Sequence, residues 1–160
     1  MAKEKQEKHN RHHNCECLTC KLGKEAVAKM EAESIEKYGW YAHYVFGDKM
    51  CPSGVNIHTH YLVESFGHKD IQVCINIDPT LLHFVIVNVV DGIRKGIKYE
   101  PGKMYAGLVD GFKLEFIDAI ENGRKVLRLL IPDEKGKYTG PYAEQLTKLN
   151  NADVHPIHLN

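Results

Sequence analysis

Residues 56–70 read Asn-Ile-His-Thr-His-Tyr-Leu-Val-Glu-Ser-Phe-Gly-His-Lys-Asp, three histidines, two carboxylates and a serine in one short stretch. On a β-strand successive side chains alternate faces, so His58 and His60 point the same way. Their Cα atoms then lie roughly 6.5–7 Å apart, within reach of a single metal ion. In that role both are neutral ligands, each oriented by an acceptor such as Glu64, Asp70 or a backbone carbonyl. His68 is a candidate third ligand or proton shuttle, and Glu64 or Asp70 a candidate base for a metal-bound water. Ser65 is no nucleophile elbow, because Glu64-Ser65-Phe66-Gly67 lacks the glycine two before the serine. It reads instead as a turn-capping residue.

A second cluster, Cys15-Glu16-Cys17-Leu18-Thr19-Cys20, lies near the N-terminus. Three thiolates this close are poorly spaced to pair with one another and suit zinc, which takes four soft or borderline ligands in a tetrahedron. The fourth ligand is left open between His12 or His13 nearby and His58 or His60 on the strand. Cys51 and Cys74 read as small buried side chains or loop thiols. Trp40, Tyr41, Tyr44, Tyr61 and Phe66 can line a pocket for a planar ligand, but their spacing suits packing better.

The totals bound what these residues can belong to. A chain of 160 residues is one domain, large enough to bury a core unaided. Lysine plus arginine equals aspartate plus glutamate at 21 each, so no dominant basic footprint for duplex nucleic acid is expected. Residues 1–14 are charged and lack the apolar stretch of a signal peptide. The longest apolar run, Leu81–Val90, is broken by His83 and Asn88 and is too short to span a membrane. The expectation is a cytoplasmic protein with reduced cysteines.

Elements that position these groups are legible in the pattern. Residues 1–14 read as a disordered charged tail, 15–149 as a single α+β domain, and 150–160 as a polar C-terminal tail. A helix is predicted from Lys21 to Tyr38, with Thr19 as N-cap, Gly39 as stop, and Leu22, Ala26, Met30, Ile35 and Tyr38 as a loose apolar stripe. Strands follow at 40–46, 55–62 and 71–77, with loops at 47–54 and 63–70. Asp78-Pro79 opens a second helix that runs to about Lys95. Asp110-Gly111 and Asn122-Gly123 each predict a two-residue type I′ hairpin turn within a C-terminal meander of 104–109, 112–120 and 125–131. A short helix is expected over 141–149. Arg124, Lys125 and Arg128 read as a solvated strand edge. The order αβββαβββ implies a largely antiparallel sheet of about six strands with two main helices.

Cys15-x-Cys17-x-x-Cys20, Lys37-Tyr38-Gly39-Trp40, Asn56-Ile57-His58-Thr59-His60 and Ser65-Phe66-Gly67-His68-x-Asp70-Ile71-Gln72 resemble a bacterial and phage-associated domain-of-unknown-function family, numbered 4262. Gly123-Arg124-x-Val126-Leu127-Arg128 and Ile131-Pro132-Asp133 resemble its C-terminal hairpin. The likeness runs from about Cys15 to Tyr142 and implies a cytosolic prokaryotic or viral setting, with no activity attached. Tyr61 stands where that family's pattern has glycine, and a tyrosine there is expected to narrow a pocket above the histidine pair. Three functions compete: a small zinc-binding domain with a structural metal and a possible protein partner, a metal-dependent hydrolase built on the His-x-His pair, and a non-catalytic protein- or nucleotide-binding module.

Overall fold

The computed structural model describes residues 18–46 and 54–146. Its elements are α1 (Leu18–Leu22), α2 (Lys24–Tyr38), β1 (Tyr41–Phe46), β2 (Val55–His60), α3 (Leu62–Phe66), β3 (Ile71–Val73), α4 (Pro79–Arg94), β4 (Met104–Val109), β5 (Phe112–Glu121) and β6 (Arg124–Leu130). A 3-10 turn at Gly140–Ala143 leads into helical residues 144–146, within the stretch where a short helix is expected. The fold is α+β, with the strands in one sheet ordered β1-β2-β3-β6-β5-β4. Among the described residues no helix is long and apolar enough to cross a membrane.

Two antiparallel meanders, β1-β2-β3 and β4-β5-β6, meet at one parallel seam. There Ile71 faces Leu127 and Gln72 faces Arg128. The chain makes that seam possible by inserting α4 between the meanders, since parallel strands need a long crossover. Asp78 caps α4 through the Thr80 amide at 2.8 Å, and Pro79 sits in the first turn. Its buried stripe of Leu82, Val85, Ile86, Val89, Val90 and Ile93 joins a core with Ile57, Ile71, Val73, Leu114, Phe116, Leu127 and Leu129. Each such side chain contributes roughly 1.5–3 kcal/mol by leaving water. Strand alternation puts the sheet's residues in this core on one face of it.

The opposite face is polar and nevertheless buried. Asn56, His58, Gln72, Glu121 and Arg128 are each less than a tenth exposed. Arg128 is fully buried, which corrects the expectation of a solvated strand edge. Its Nε donates to Gln72 Oε1 at 3.0 Å and its Nη1 to the Gln145 carbonyl at 2.9 Å. Gln145 is held in turn by paired bonds to the backbone of Ile131.

Several local expectations change for identifiable reasons. The first helix breaks at Gly23, whose φ of 87° separates α1 from α2, so Thr19 lies inside α1 and caps nothing there. Leu22, Met30 and Tyr38 of the loose stripe are exposed, and the side of α2 toward the sheet carries Val27, Glu31, Ser34 and Ile35. Gly39 ends α2 as expected, in the left-handed region with its amide on the Ile35 carbonyl. Asn122 and Gly123 both take positive φ, as a type I′ turn demands. At Asp110-Gly111 only the glycine does, so that turn is of another type, and β4 carries a bulge between Tyr105 and Val109. The expected loop at 63–70 contains α3.

Tyr61, between β2 and α3, has φ 74° and ψ 5°. Left-handed backbone costs an L side chain roughly 1–2 kcal/mol, whereas glycine accepts it freely. Tyr61→Gly is therefore expected to raise unfolding stability by up to about 1 kcal/mol after the entropy of the freer unfolded chain is counted. Tyr61→Val, β-branched and poorly suited to positive φ, is expected to lower it. Urea unfolding of both variants checks the sign of each change.

Candidate metal centre

β1 and β2 pair so that His43 lies opposite His58 and Tyr41 opposite His60. Residues facing each other across an antiparallel pair share a face, so all four rings project from the polar side. His43, His58 and His60 each offer a ring nitrogen, and these atoms lie within 4.8 Å of one another. His60 Nε2 is 3.1 Å from His43 Nδ1. Two ligands on a tetrahedral ion with bonds of 2.0–2.1 Å sit about 3.3 Å apart, so little movement is needed to admit one.

Each imidazole is oriented by something specific. Glu31, reaching from α2, accepts from His43 Nε2 at 2.6 Å, which leaves the lone pair on Nδ1 facing His60. A carboxylate behind a histidine is the usual device for fixing a ligand's tautomer. Tyr41 stacks on His60, ring centroids 4.9 Å apart and nearly parallel at 15°. His58 Nδ1 meets Asn56 Oδ1 at 3.2 Å, and its Nε2 lies 3.6 Å from Glu121 Oε1. Arg124 donates to Glu121 at 2.9 Å and to Asp70 at 2.9 Å, clamping both carboxylates. The carboxylates of Glu31 and Glu121 thus flank His43 and His58, with the Arg124 guanidinium paired to Glu121.

Burial pushes the His60 imidazole down to about 3, with Arg124, His43 and His58 adding to the shift. His60 therefore stays neutral at physiological pH, the form that binds a metal. The Asp70 carboxyl is pushed up by burial, opposed by its bonds to Thr59 and Leu62 and by Arg124.

The residues singled out by spacing separate in three dimensions. His58 and His60 come together as the strand period requires. His68 does not join them: its Nδ1 donates to the Lys69 carbonyl at 2.7 Å and its Nε2 accepts from the Tyr99 amide at 3.1 Å. Asp70 takes hydrogen bonds from Thr59 Oγ1 and the Leu62 amide, pinning the start of α3, besides its ion pair with Arg124. Glu64 is exposed on α3. Ser65 donates to the Gly39 carbonyl at 2.7 Å and closes the turn after α2. Tyr61 is 41% exposed, and the ring lying against the histidines is that of Tyr41. Cys20 is exposed on α1, whereas Cys15 and Cys17 lie outside the described residues.

Spacing along the chain does not single out His43, Glu31 or Glu121. Each reaches the centre from another element, β1, α2 and β5. The available signal for His43 is its alternation with Tyr41, which becomes informative once the β1–β2 register is known.

Two outcomes are expected. In chelator-treated protein the His60 ring protons should not titrate between pH 5 and 8, as read by NMR. The unfolded chain binds that proton below about 6.5 and the folded one only near 3. His60 thus contributes a loss of stability as pH falls through that window, and none above it. His68→Ala should lower stability by about 1–3 kcal/mol in chemical denaturation, because the buried Tyr99 amide loses its acceptor.

No family model, curated protein or solved structure matches this chain.

Proposed function

We propose that this protein binds a divalent transition-metal ion, zinc foremost, through His43, His58 and His60. The observation that carries this reading is the trio of ring nitrogens within 4.8 Å on a partly buried polar face. Neutral imidazoles select borderline ions such as zinc over magnesium or calcium, which prefer oxygen. The carboxylates of Glu31 and Glu121, beside His43 and His58, offer complementary charge.

The ligand count among the described residues favours a second reading on the same site. Three protein ligands leave a position for water, the arrangement of catalytic rather than structural zinc. An ion held by His43, His58 and His60 would supply Lewis-acid chemistry, lowering the pKa of a bound water to about 7 as hydrolysis requires. A separate zinc site at Cys15, Cys17 and Cys20 belongs to the proposal as well, and its thiols suit a reducing cytoplasmic setting. Kinship with domain-of-unknown-function family 4262 is proposed on the residues quoted above. The left-handed backbone at Tyr61 supports it, being a conformation that the family's glycine suits.

Zinc titration calorimetry on the chelator-stripped full chain tests the histidine centre. His60→Ala should weaken one binding event by more than about 100-fold, beyond what loss of an orienting partner costs. The Cys17→Ser/Cys20→Ser double variant should keep that event. If His60→Ala and His43→Ala both bind as many zinc ions as the parent, with equal affinity, the histidine centre is wrong.

A further inference from the structure

We infer that Arg128, acting through Gln72 and Asn56, holds His58 as its Nδ1–H tautomer and so makes Nε2 its ligating nitrogen. The inference rests on the metal centre for its purpose but not for its geometry. An arginine side chain has only donors and keeps its charge at any pH the protein meets. Its Nε reaches Gln72 at 3.0 Å, so the atom it meets must be the amide oxygen. That fixes the Gln72 amide and leaves its NH2 group pointing at Asn56, 3.0 Å away. The Asn56 atom receiving it must therefore be oxygen. The same oxygen lies 3.2 Å from His58 Nδ1. Two acceptors do not bond, so Nδ1 carries the proton. A neutral imidazole protonated there has its lone pair on Nε2.

Arg128, Gln72 and Asn56 lie on β6, β3 and β2, so the relay crosses the parallel seam from end to end. Arg128 and Gln72 are fully buried and Asn56 is 4% exposed, so reversing any link leaves a buried polar atom facing its like. The Gln145 carbonyl on Arg128 Nη1 locks the far end. At the near end His58 Nε2 lies 3.6 Å from Glu121 Oε1, so a cation held at that nitrogen has a carboxylate beside it. The relay therefore turns Nε2, and not Nδ1, toward the place where a divalent borderline ion would sit. Arg128, Gln72 and Asn56 are positioning residues that do not touch it.

The test reads the tautomer directly. Long-range 1H–15N correlation on 15N-labelled, chelator-stripped protein should show His58 as Nδ1–H. Gln72→Glu is nearly isosteric and keeps an oxygen for Arg128, but has no donor for Asn56. The Asn56 amide must then turn over and donate to both neighbours. His58 should switch to Nε2–H, and zinc affinity should fall about 10–100-fold. Asn56→Asp keeps an acceptor at Nδ1 and should keep the tautomer and the affinity. An Nε2–H signal for His58 in the parent protein overturns the relay. So does a folded Gln72→Glu variant with unchanged tautomer and affinity. Because the first readout is made without metal, a parent that shows Nδ1–H yet takes up no zinc would sink the metal centre and leave the relay standing.

Discussion

A guanidinium that water cannot reach sets the terms for half of this sheet. Arg128 cannot discharge its proton, so its guanidinium depends on acceptors inside the protein, and an isolated buried charge would cost far more than a domain of this size can spare. Acceptors for Nε and Nη1 come from two directions. Gln72 answers from the neighbouring strand, and the Gln145 carbonyl answers from the segment after the last strand. The polar face is ordered outward from that one group, through amides to an imidazole, with Glu121 and Arg124 closing its other side.

The sheet thus divides its labour by face. One side is bound to α4 by non-directional burial of branched side chains, where a change in shape is tolerated if volume is kept. The other depends on donors and acceptors in a fixed order, where a single reversed amide leaves a defect. Histidines on such a surface inherit its rigidity. Their ring positions are fixed by Glu31, Asn56 and Tyr41, so the three imidazoles are oriented by the fold itself.

Much of the frame was legible in residue order because it depends on short-range rules. Asp78-Pro79, Gly39 and Asn122-Gly123 act within a few residues, and each does what its chemistry requires. The alternation in Asn56–His60 sufficed to place His58 and His60 on one side. What was illegible depended on pairing between distant strands. His43 acquires meaning opposite His58, and Glu31 only when α2 lies across β1. Arg128 reads as a surface cation until Gln72 is set beside it by the seam. His68 has the composition of a ligand, but a carbonyl one residue away and an amide on a distant loop claim both nitrogens.

The seam between β3 and β6 also governs the order in which the molecule can be assembled. Its partners lie roughly 55 residues apart, and closing such a loop costs on the order of 3.5 kcal/mol of chain entropy before any contact returns it. Each meander can form from near neighbours, so the seam is the natural last step. During synthesis the first meander emerges with the outer edge of β3 open, and an open edge invites pairing with another chain. β3 is only Ile71–Val73. So short an edge is a poor template for a stranger, while Leu127 and Arg128 recognise it by both an apolar and a polar partner. Brevity there leaves few unpaired groups along the edge, and the mixed chemistry of the pair supplies the register between the two meanders.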